Sequence, residues 1–380
     1  MIVGGGLAGL SLAVALSSSS LSIAVVEGRL PEATAGWDTR IYAVSPGNGR
    51  FLDQIGIWQH LDQTRVAAVR HMEIHGDAGG RLDFSAYASG VAELAWIIEG
   101  SLIQRELWEN TKRQGNLSLY CPARPRKLSF GVDQAALSLE DGSHLNARLI
   151  VAADGADSWV RQEAGIAVEF KPYRQMGVVA NFSCERSHRN TAFQWFRGDG
   201  VLAYLPLAEG GTISIVWSTA DEHAAELLAL APEEFSRRVA WAGDQRLGEL
   251  ALLNAPIGFP LRLMRAPRTV APRLALLGDA AHTIHPLSGH GINLGFQDAR
   301  VLAETLLNRP EFIDCGDERW LRRYERARIE EVLALQWATH GLQRLFDPPN
   351  AMFSMLRNAG LNLTNALPVV RDSLVRYALA

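Results

Sequence analysis

Apolar and polar positions fall into two rhythms along the chain, one helical and one strand-like. It opens on a short apolar run, Ile2-Val3, passes through glycines from Gly4 to Gly9, and carries helically spaced apolar positions from Leu7 to Leu16. Four serines, Ser17 to Ser20, lead to a second apolar run, Ile23 to Val26, closed by Glu27. A short, wholly apolar run ending in an acid suits a strand buried in a parallel sheet, so residues 1–27 predict a strand–helix–strand unit. Residues 40–62 read as a helix with Phe51, Leu52, Ile55 and Ile57 along one side, and 101–113 as another.

The pattern then changes. Residues 116–153 predict hairpins, with strands at Leu117–Tyr120, Lys127–Val132, Ala136–Leu139 and Leu149–Ala152 and a turn at Asp141-Gly142. Residues 174–220 are strand-rich and aromatic, with runs at Gly177–Phe182, Thr191–Phe196, Gly200–Leu205 and Gly211–Trp217 that predict a separate sheet. Residues 221–249 are helical again. Leu274–Leu277 is a short buried strand, and a glycine-rich passage runs from Gly278 to Gly295. Helices are expected over 296–308, 318–346 and 350–378.

Composition narrows the class. The chain has 380 residues, 48% of them hydrophobic, enough for a large core and about two or three domains. Its 37 basic and 41 acidic residues nearly balance, at a net charge of −4. That excludes the clustered basic surface a nucleic acid requires. Cys121, Cys184 and Cys315 lie far apart without a C-x-x-C, so they read as reduced thiols and offer no zinc set. No apolar run reaches the roughly 18 residues of a membrane span, and no charged leader precedes the glycines. Met1 stands where the first strand should already be under way, so the natural chain or a close relative is expected to begin slightly earlier. A cytoplasmic location is expected.

Three segments carry chemistry. Gly4-Gly5-Gly6-Leu7-Ala8-Gly9 satisfies G-x-G-x-x-G between a strand and a helix: Gly4 for the tight turn, Gly6 for close approach of a pyrophosphate, Gly9 for helix–strand packing. The helix start offers free N–H groups and a positive dipole end. Glu27, 18 residues after Gly9, stands where a carboxylate accepts hydrogen bonds from a ribose, with Gly28 beside it. This much fits either NAD or FAD. The second segment, Ala152-Ala153-Asp154-Gly155, ends a strand, with Ser158 and Arg161 opening the next helix. The third, Gly278-Asp279, follows a strand and runs on through Pro286, Gly289 and Gly291 to a helix beginning near Asn293. Asp279 can bond a chain of hydroxyls. The later glycines let backbone N–H groups face a flat, electron-rich ring edge, where a helix dipole stabilises negative charge.

In this order and at these distances, the three segments resemble the dinucleotide, DG and GD motifs of the group A flavoprotein aromatic hydroxylases. Thr39-Arg40-Ile41-Tyr42-Ala43-Val44-Ser45, Phe193-Gln194-Trp195-Phe196, Ser214-Ile215-Val216-Trp217-Ser218 and Tyr324-Glu325-Arg326-Ala327-Arg328 are similar to the ubiquinone-biosynthesis hydroxylase branch. The resemblance covers essentially the whole chain and implies an α/β fold. In it, a Rossmann-like (GR2-type) FAD-binding domain, 1–170 and 265–310, is interleaved with a smaller sheet-rich substrate domain, 171–264, and followed by a helical segment, 311–380. It implies that Gly4, Gly6, Leu7, Ala8, Gly9, Glu27 and Gly28 hold the ADP half of FAD and that Arg40 reaches the phosphates. Asp154, Arg161, Gly278 and Asp279 line the cofactor, and Pro286, Gly289, Gly291, Ile292 and Asn293 meet the isoalloxazine. Gln104 is offered for a contact that a different polar pair makes elsewhere in the family. His290 and Ser288 depart from the family's usual Gln and Ala.

The resemblance further implies reduction by NADPH or NADH, reaction with O2, and ring hydroxylation by a flavin C4a-hydroperoxide, with no protein triad needed. Trp195, Tyr204, Pro206, Trp217, His285 and Leu287 are candidate substrate walls, although each aromatic on a strand can equally fill a core. The expected substrate is a polyprenyl phenol. Peripheral contact with the inner membrane face and assembly with other ubiquinone-pathway proteins go with it. A hydroxylase of soluble phenols and a non-enzymatic prenyl carrier on the same fold are the alternatives.

Overall fold

The computed structural model describes residues 1–31, 36–284, 291–346, 358, 362–365 and 367, without the side chains of 337–346. Its helices are α1 (Leu7–Ala15), α2 (Pro46–Gln54), α3 (Gly100–Lys112), α4 (Trp159–Glu163), α5 (Asp221–Ala229), α6 (Pro232–Ala242), α7 (Gly291–Leu307) and α8 (Glu318–Phe346).

The cofactor sheet has the strand order Val270–Ala271, Leu274–Leu276, Ile150–Ala152, Ile2–Val3, Ile23–Val26, Leu117–Tyr120. All its pairs are parallel except the first, a tight hairpin. These strands are apolar at nearly every position because both faces are covered. On one face Leu10, Val14, Leu107, Phe296 and Leu302, from α1, α3 and α7, pack on Ile2, Val25 and Val151. On the other, Val3, Val26, Ile150 and Leu274 meet Leu128 and Leu137 of a three-stranded antiparallel sheet, Pro125–Phe130, Ala135–Leu139 and His144–Ala147.

A larger sheet runs His282–Thr283, Ile257–Arg265, Glu169–Cys184, Thr212–Ala220, Gly200–Pro206, Thr191–Arg197, His71–His75, Arg81–Ser85. It thus draws strands from 71–85 as well as from the middle of the chain. One face carries Val178, Phe182, Leu202 and Ile215 against Leu227 of α5 and Phe235 and Val239 of α6. Against the other lies a small antiparallel sheet, Ile41–Val44, Ala95–Glu99 and Ala67–Val69, which contributes Ala67, Val69 and Ile97 to a shared cluster with Ala192 and Leu205.

Two sequence expectations need correction. Residues 40–62 are not one helix. Ile41–Val44 pair with Ala95–Glu99, and a helix starts only at Pro46, behind Ser45, whose side chain accepts the Asn48 N–H. Proline at the first helical position fixes the start, and β-branched Ile41 and Val44 suit a strand. The hairpin reading holds for Pro125–Ala147, but Leu117–Tyr120 and Ile150–Ala152 are parallel strands of the cofactor sheet. A short apolar run fits either pairing equally well. Most of the expected helix over 350–378 lies outside the described residues.

Candidate active site

The dinucleotide turn is built by close backbone approach. Gly4 adopts φ +112°, and a Cβ there would stand 2.3 Å from the Ala153 carbonyl oxygen. The turn is thereby pressed against the strand end that carries Asp154. A Cβ at Gly9 would stand 2.2 Å from the Gly4 carbonyl oxygen, so the helix can sit tightly on the turn only with glycine there. Gly6 is different: among the described residues nothing lies within 4 Å of its Cβ position. It faces open space at the start of α1, where no side chain caps the helix and no acid occupies the first turn, formed by Leu7, Ala8 and Gly9. Uncapped N–H groups at a positive dipole end are what an anionic phosphate requires. Glu27 accepts the Gly5 N–H at 2.6 Å and the Arg29 N–H at 2.9 Å. Its two oxygens keep lone pairs for a further donor. Gly28 follows with no side chain closer than Arg124, 3.8 Å from its Cβ position. Gln104 on α3 donates to the Gly5 carbonyl at 3.1 Å and so braces the turn from outside.

The other two segments close on this turn. Asp154 accepts the Ser158 hydroxyl at 2.5 Å and the Val160 N–H at 3.0 Å, so its carboxylate caps α4. Arg161 is buried and donates through Nη1 to the Ala280 carbonyl at 2.8 Å and through Nη2 to that of Ala156 at 3.0 Å, tying the DG and GD segments together. Gly278, at φ +59°, would place a Cβ 3.2 Å from Ala8 Cβ, and Gly295 would place one 3.4 Å from that same atom. The first helical turn of α1 therefore rests directly on the GD turn and on α7. Asp279 is open to solvent, yet the protein around it raises its carboxyl above the usual range, with Asp298 adding to the effect and His282 and Arg262 opposing it. Burial and the nearby Asp279 carboxylate push the Tyr42 phenol up, while neighbouring Arg40 pulls it down. Arg40 is itself exposed at 65% of its side chain, with its N–H on Asp38 at 3.0 Å.

At the far end, Gly291 and Ile292 open α7, and none of the described residues comes within 4 Å of the Gly291 Cβ position. Asn293 is buried. Its Nδ2 donates to the Ala43 carbonyl at 2.8 Å and its Oδ1 accepts the Ser45 N–H at 2.9 Å, which fixes α7 against the strand bearing Tyr42. His285, Pro286, Leu287 and Gly289 lie outside the described residues.

The fold thus gathers an uncapped helix start, Glu27, Asp279 with its raised carboxyl, and Arg40 from remote parts of the chain. Residues 1–335 match the FAD binding domain family. The chain belongs to that family. Its length aligns in full with ubiquinone hydroxylase UbiL of Rhodospirillum rubrum, at 34% identity over 89% of that protein. It aligns equally with 3-demethoxyubiquinol 3-hydroxylase of Escherichia coli, at 31% over 97%. The solved structure of P. aeruginosa PqsL in complex with 2-aminobenzoylacetate superposes with a TM-score of 0.80 at 25% identity, over 95% of this chain and 98% of that one. The start of α1, Glu27 and Asp279 could hold the phosphates and hydroxyls of the FAD that gives this family its description.

The substrate walls need correction. Trp195, Tyr204 and Trp217 lie in the core between the large sheet and α5 and α6, with at most 4% exposure. Tyr204 donates to the Val239 carbonyl at 2.6 Å. Pro206 pairs with Ile213, which faces the same core. The opposite face turns toward the small antiparallel sheet and the segment of Asp38. Val179, Val216, Ala203 and Gln194 stand in one cross-strand row, and Val216 and Ala203 are half-buried. On the same face, Asn181 Nδ2 donates to the Asp38 carbonyl at 2.9 Å, just ahead of Arg40 and Tyr42. Asn181 Oδ1 and Ser214 Oγ, on residues directly opposite each other, have no partner among the described residues.

Sequence reasoning also missed what holds Asp38. Its N–H goes to Glu99 at 2.7 Å, its carboxylate accepts the Ser101 N–H at 3.0 Å, and Glu99 is gripped by Arg65 at 2.6 Å. No local motif marks these residues; only the pairing of Ile41–Val44 with Ala95–Glu99 brings them together.

Proposed function

We propose that this chain is an FAD-dependent monooxygenase that hydroxylates the ring of a polyprenyl phenol in ubiquinone biosynthesis. The observation that carries the reading is the convergence of α1, the GD turn and α7 at Ala8, with Arg40, Tyr42 and Asp279 across one groove. The named activities of the two full-length relatives supply the substrate class. The overall reaction takes an aromatic C–H, O2, NAD(P)H and a proton to the phenol, water and NAD(P)+. Bound FAD would supply the redox chemistry.

The protein's part is position and dryness. The start of α1 holds negative charge without a competing side-chain cap. Glu27 and Asp279 accept hydroxyl donors, and Arg40 faces the anionic end. Asn293 sets α7 so that its N-terminal dipole points along the groove. Val179, Val216, Ala203 and Leu205 give the substrate an apolar floor that excludes water, and Asn181 and Ser214 add polar atoms at its edge. No helix among the described residues is long and apolar enough to cross a membrane. A prenylated substrate would be met at the membrane surface, through peripheral contact of this chain or through other pathway proteins.

The test is NADPH and NADH oxidation by the FAD-loaded protein, with prenylated and unprenylated phenols compared. Strong coupling of NAD(P)H oxidation to product with the prenylated phenol supports the reading. Coupling with soluble phenols alone overturns the lipid assignment and leaves a hydroxylase of soluble phenols.

A further inference from the structure

The segment Tyr324-Glu325-Arg326-Ala327-Arg328 on α8 stands behind the cofactor turn, and the activity as described assigns it nothing. Two of its side chains reach one stretch of chain, Thr269 to His282, directly, and a third reaches it through Asp298 of α7. The Tyr324 hydroxyl donates to the Leu276 carbonyl at 2.9 Å, at the last residue of the strand. The Glu325 carboxylate accepts the Thr269 N–H at 2.7 Å. Arg328 Nε donates to Asp298 Oδ1 at 2.6 Å. The other oxygen of Asp298 accepts the Gly278 N–H at 3.0 Å and meets His282 Nε2 at 2.8 Å.

Gly278 and His282 are therefore pinned to one carboxylate, and Asp279 lies between the pins. That carboxylate is wholly buried, and Arg328 is 3% exposed. Burial alone would raise the Asp298 carboxyl, but His282 and Arg328 outweigh it and hold the carboxyl below its usual range. The remaining Arg328 nitrogens are engaged as well, Nη2 by Gln297 at 3.1 Å and Nη1 by Glu331. A helix that merely covers a sheet needs none of this. Apolar side chains of similar volume commonly replace buried ion pairs at no loss of stability.

We propose that Tyr324, Glu325 and Arg328 are positioning residues for the cofactor, fixing the Gly278–Asp279 backbone so that the Asp279 carboxylate meets FAD hydroxyls. The inference rests on FAD occupying the groove. Tyr324 and Glu325 hold the strand leading into the turn. Arg328 holds the turn itself through Asp298.

The test compares the FAD dissociation constant, from quenching of flavin fluorescence, with the melting temperature of the FAD-free full chain. Arg328→Lys keeps the charge but cannot reproduce the fork of donors. It is expected to weaken FAD binding by about tenfold, the loss of one charge-assisted hydrogen bond. Tyr324→Phe is expected to weaken it by about threefold. Tyr204→Phe removes a matched buried bond to the Val239 carbonyl, far from the turn. It is expected to lower the melting temperature as Tyr324→Phe does and to leave FAD affinity unchanged. If Arg328→Lys does not fold, Tyr324→Phe against Tyr204→Phe decides. Binding within about twofold of wild type in the folded variants overturns the inference. Failure of the wild-type chain to bind FAD overturns the reading beneath it instead.

Discussion

Gly4 and Gly6 are two residues apart and answer to different constraints. Gly4 combines a left-handed backbone with a carbonyl oxygen 2.3 Å from its Cβ position. Gly4→Ala is expected to destabilise the FAD-free chain by about 3 kcal/mol, from strain and overlap together. Gly6 has an ordinary φ of −78° and open space beside it. Gly6→Ala is expected to leave FAD-free stability within about 0.5 kcal/mol and still to lower FAD affinity, since the methyl enters the space of the pyrophosphate. Urea unfolding and flavin titration of both variants separate the two roles. Asp279 makes a different trade. Its carboxyl is raised in the folded chain, so the folded state keeps that proton to higher pH than the unfolded state does. Stability is therefore lost as pH rises from the ordinary carboxylate value of about 3.9 through the raised one. The FAD-free Asp279→Asn variant should be more stable than wild type at pH 7, with the difference vanishing below about pH 4, and should bind FAD more weakly. A series of urea melts across pH checks the sign.

At the scale of elements, the large sheet shows why some of the site was legible and some was not. The turn at Gly4–Gly9 could be read because each glycine answers a local need and the flanking apolar runs fix strand and helix. The phase of Thr212–Ala220 could not. Ile213, Ile215 and Trp217 alternate with Ser214, Val216 and Ser218, and all of them but Val216 are buried, because α5 and α6 cover one face and the small sheet approaches the other. Alternation shows that there are two faces, not which one meets the cofactor. Asp38, Glu99 and Arg65 were invisible for a related reason: their contacts depend on a pairing between segments about 55 residues apart, and neither segment signals its partner. The phase gives a direct prediction. Trp217→Ala should cost about 3–5 kcal/mol in urea unfolding, as truncation of a core aromatic does, with little change in KM at a temperature where the chain is folded. Val216→Phe on the half-buried face should leave stability within about 1 kcal/mol and raise KM for the aromatic substrate. The reverse pattern would put the substrate on the helix side of the sheet.

For the whole molecule, the groove is shared by segments from residue 4 to residue 295, so a cofactor bound there ties the two ends of the fold together. Saturating FAD at about a hundred times its dissociation constant should raise the unfolding free energy by about 2.7 kcal/mol, and the melting temperature should climb with FAD concentration. A thermal-shift titration reads this directly; a flat response would mean that the groove does not hold FAD. The order of the cofactor sheet also sets a timetable. Its N-terminal strand, Ile2–Val3, sits between Ile23–Val26 and Ile150–Ala152, and the latter must wait for Leu274–Leu276. On the ribosome, the Ile2–Val3 strand keeps one bare edge until some 150 residues have emerged, and Asp279 comes out more than a hundred residues later still. If FAD is held as proposed, it can be loaded only after the GD turn has emerged, so a nascent chain stalled before that turn should capture no flavin, however intact its opening glycines.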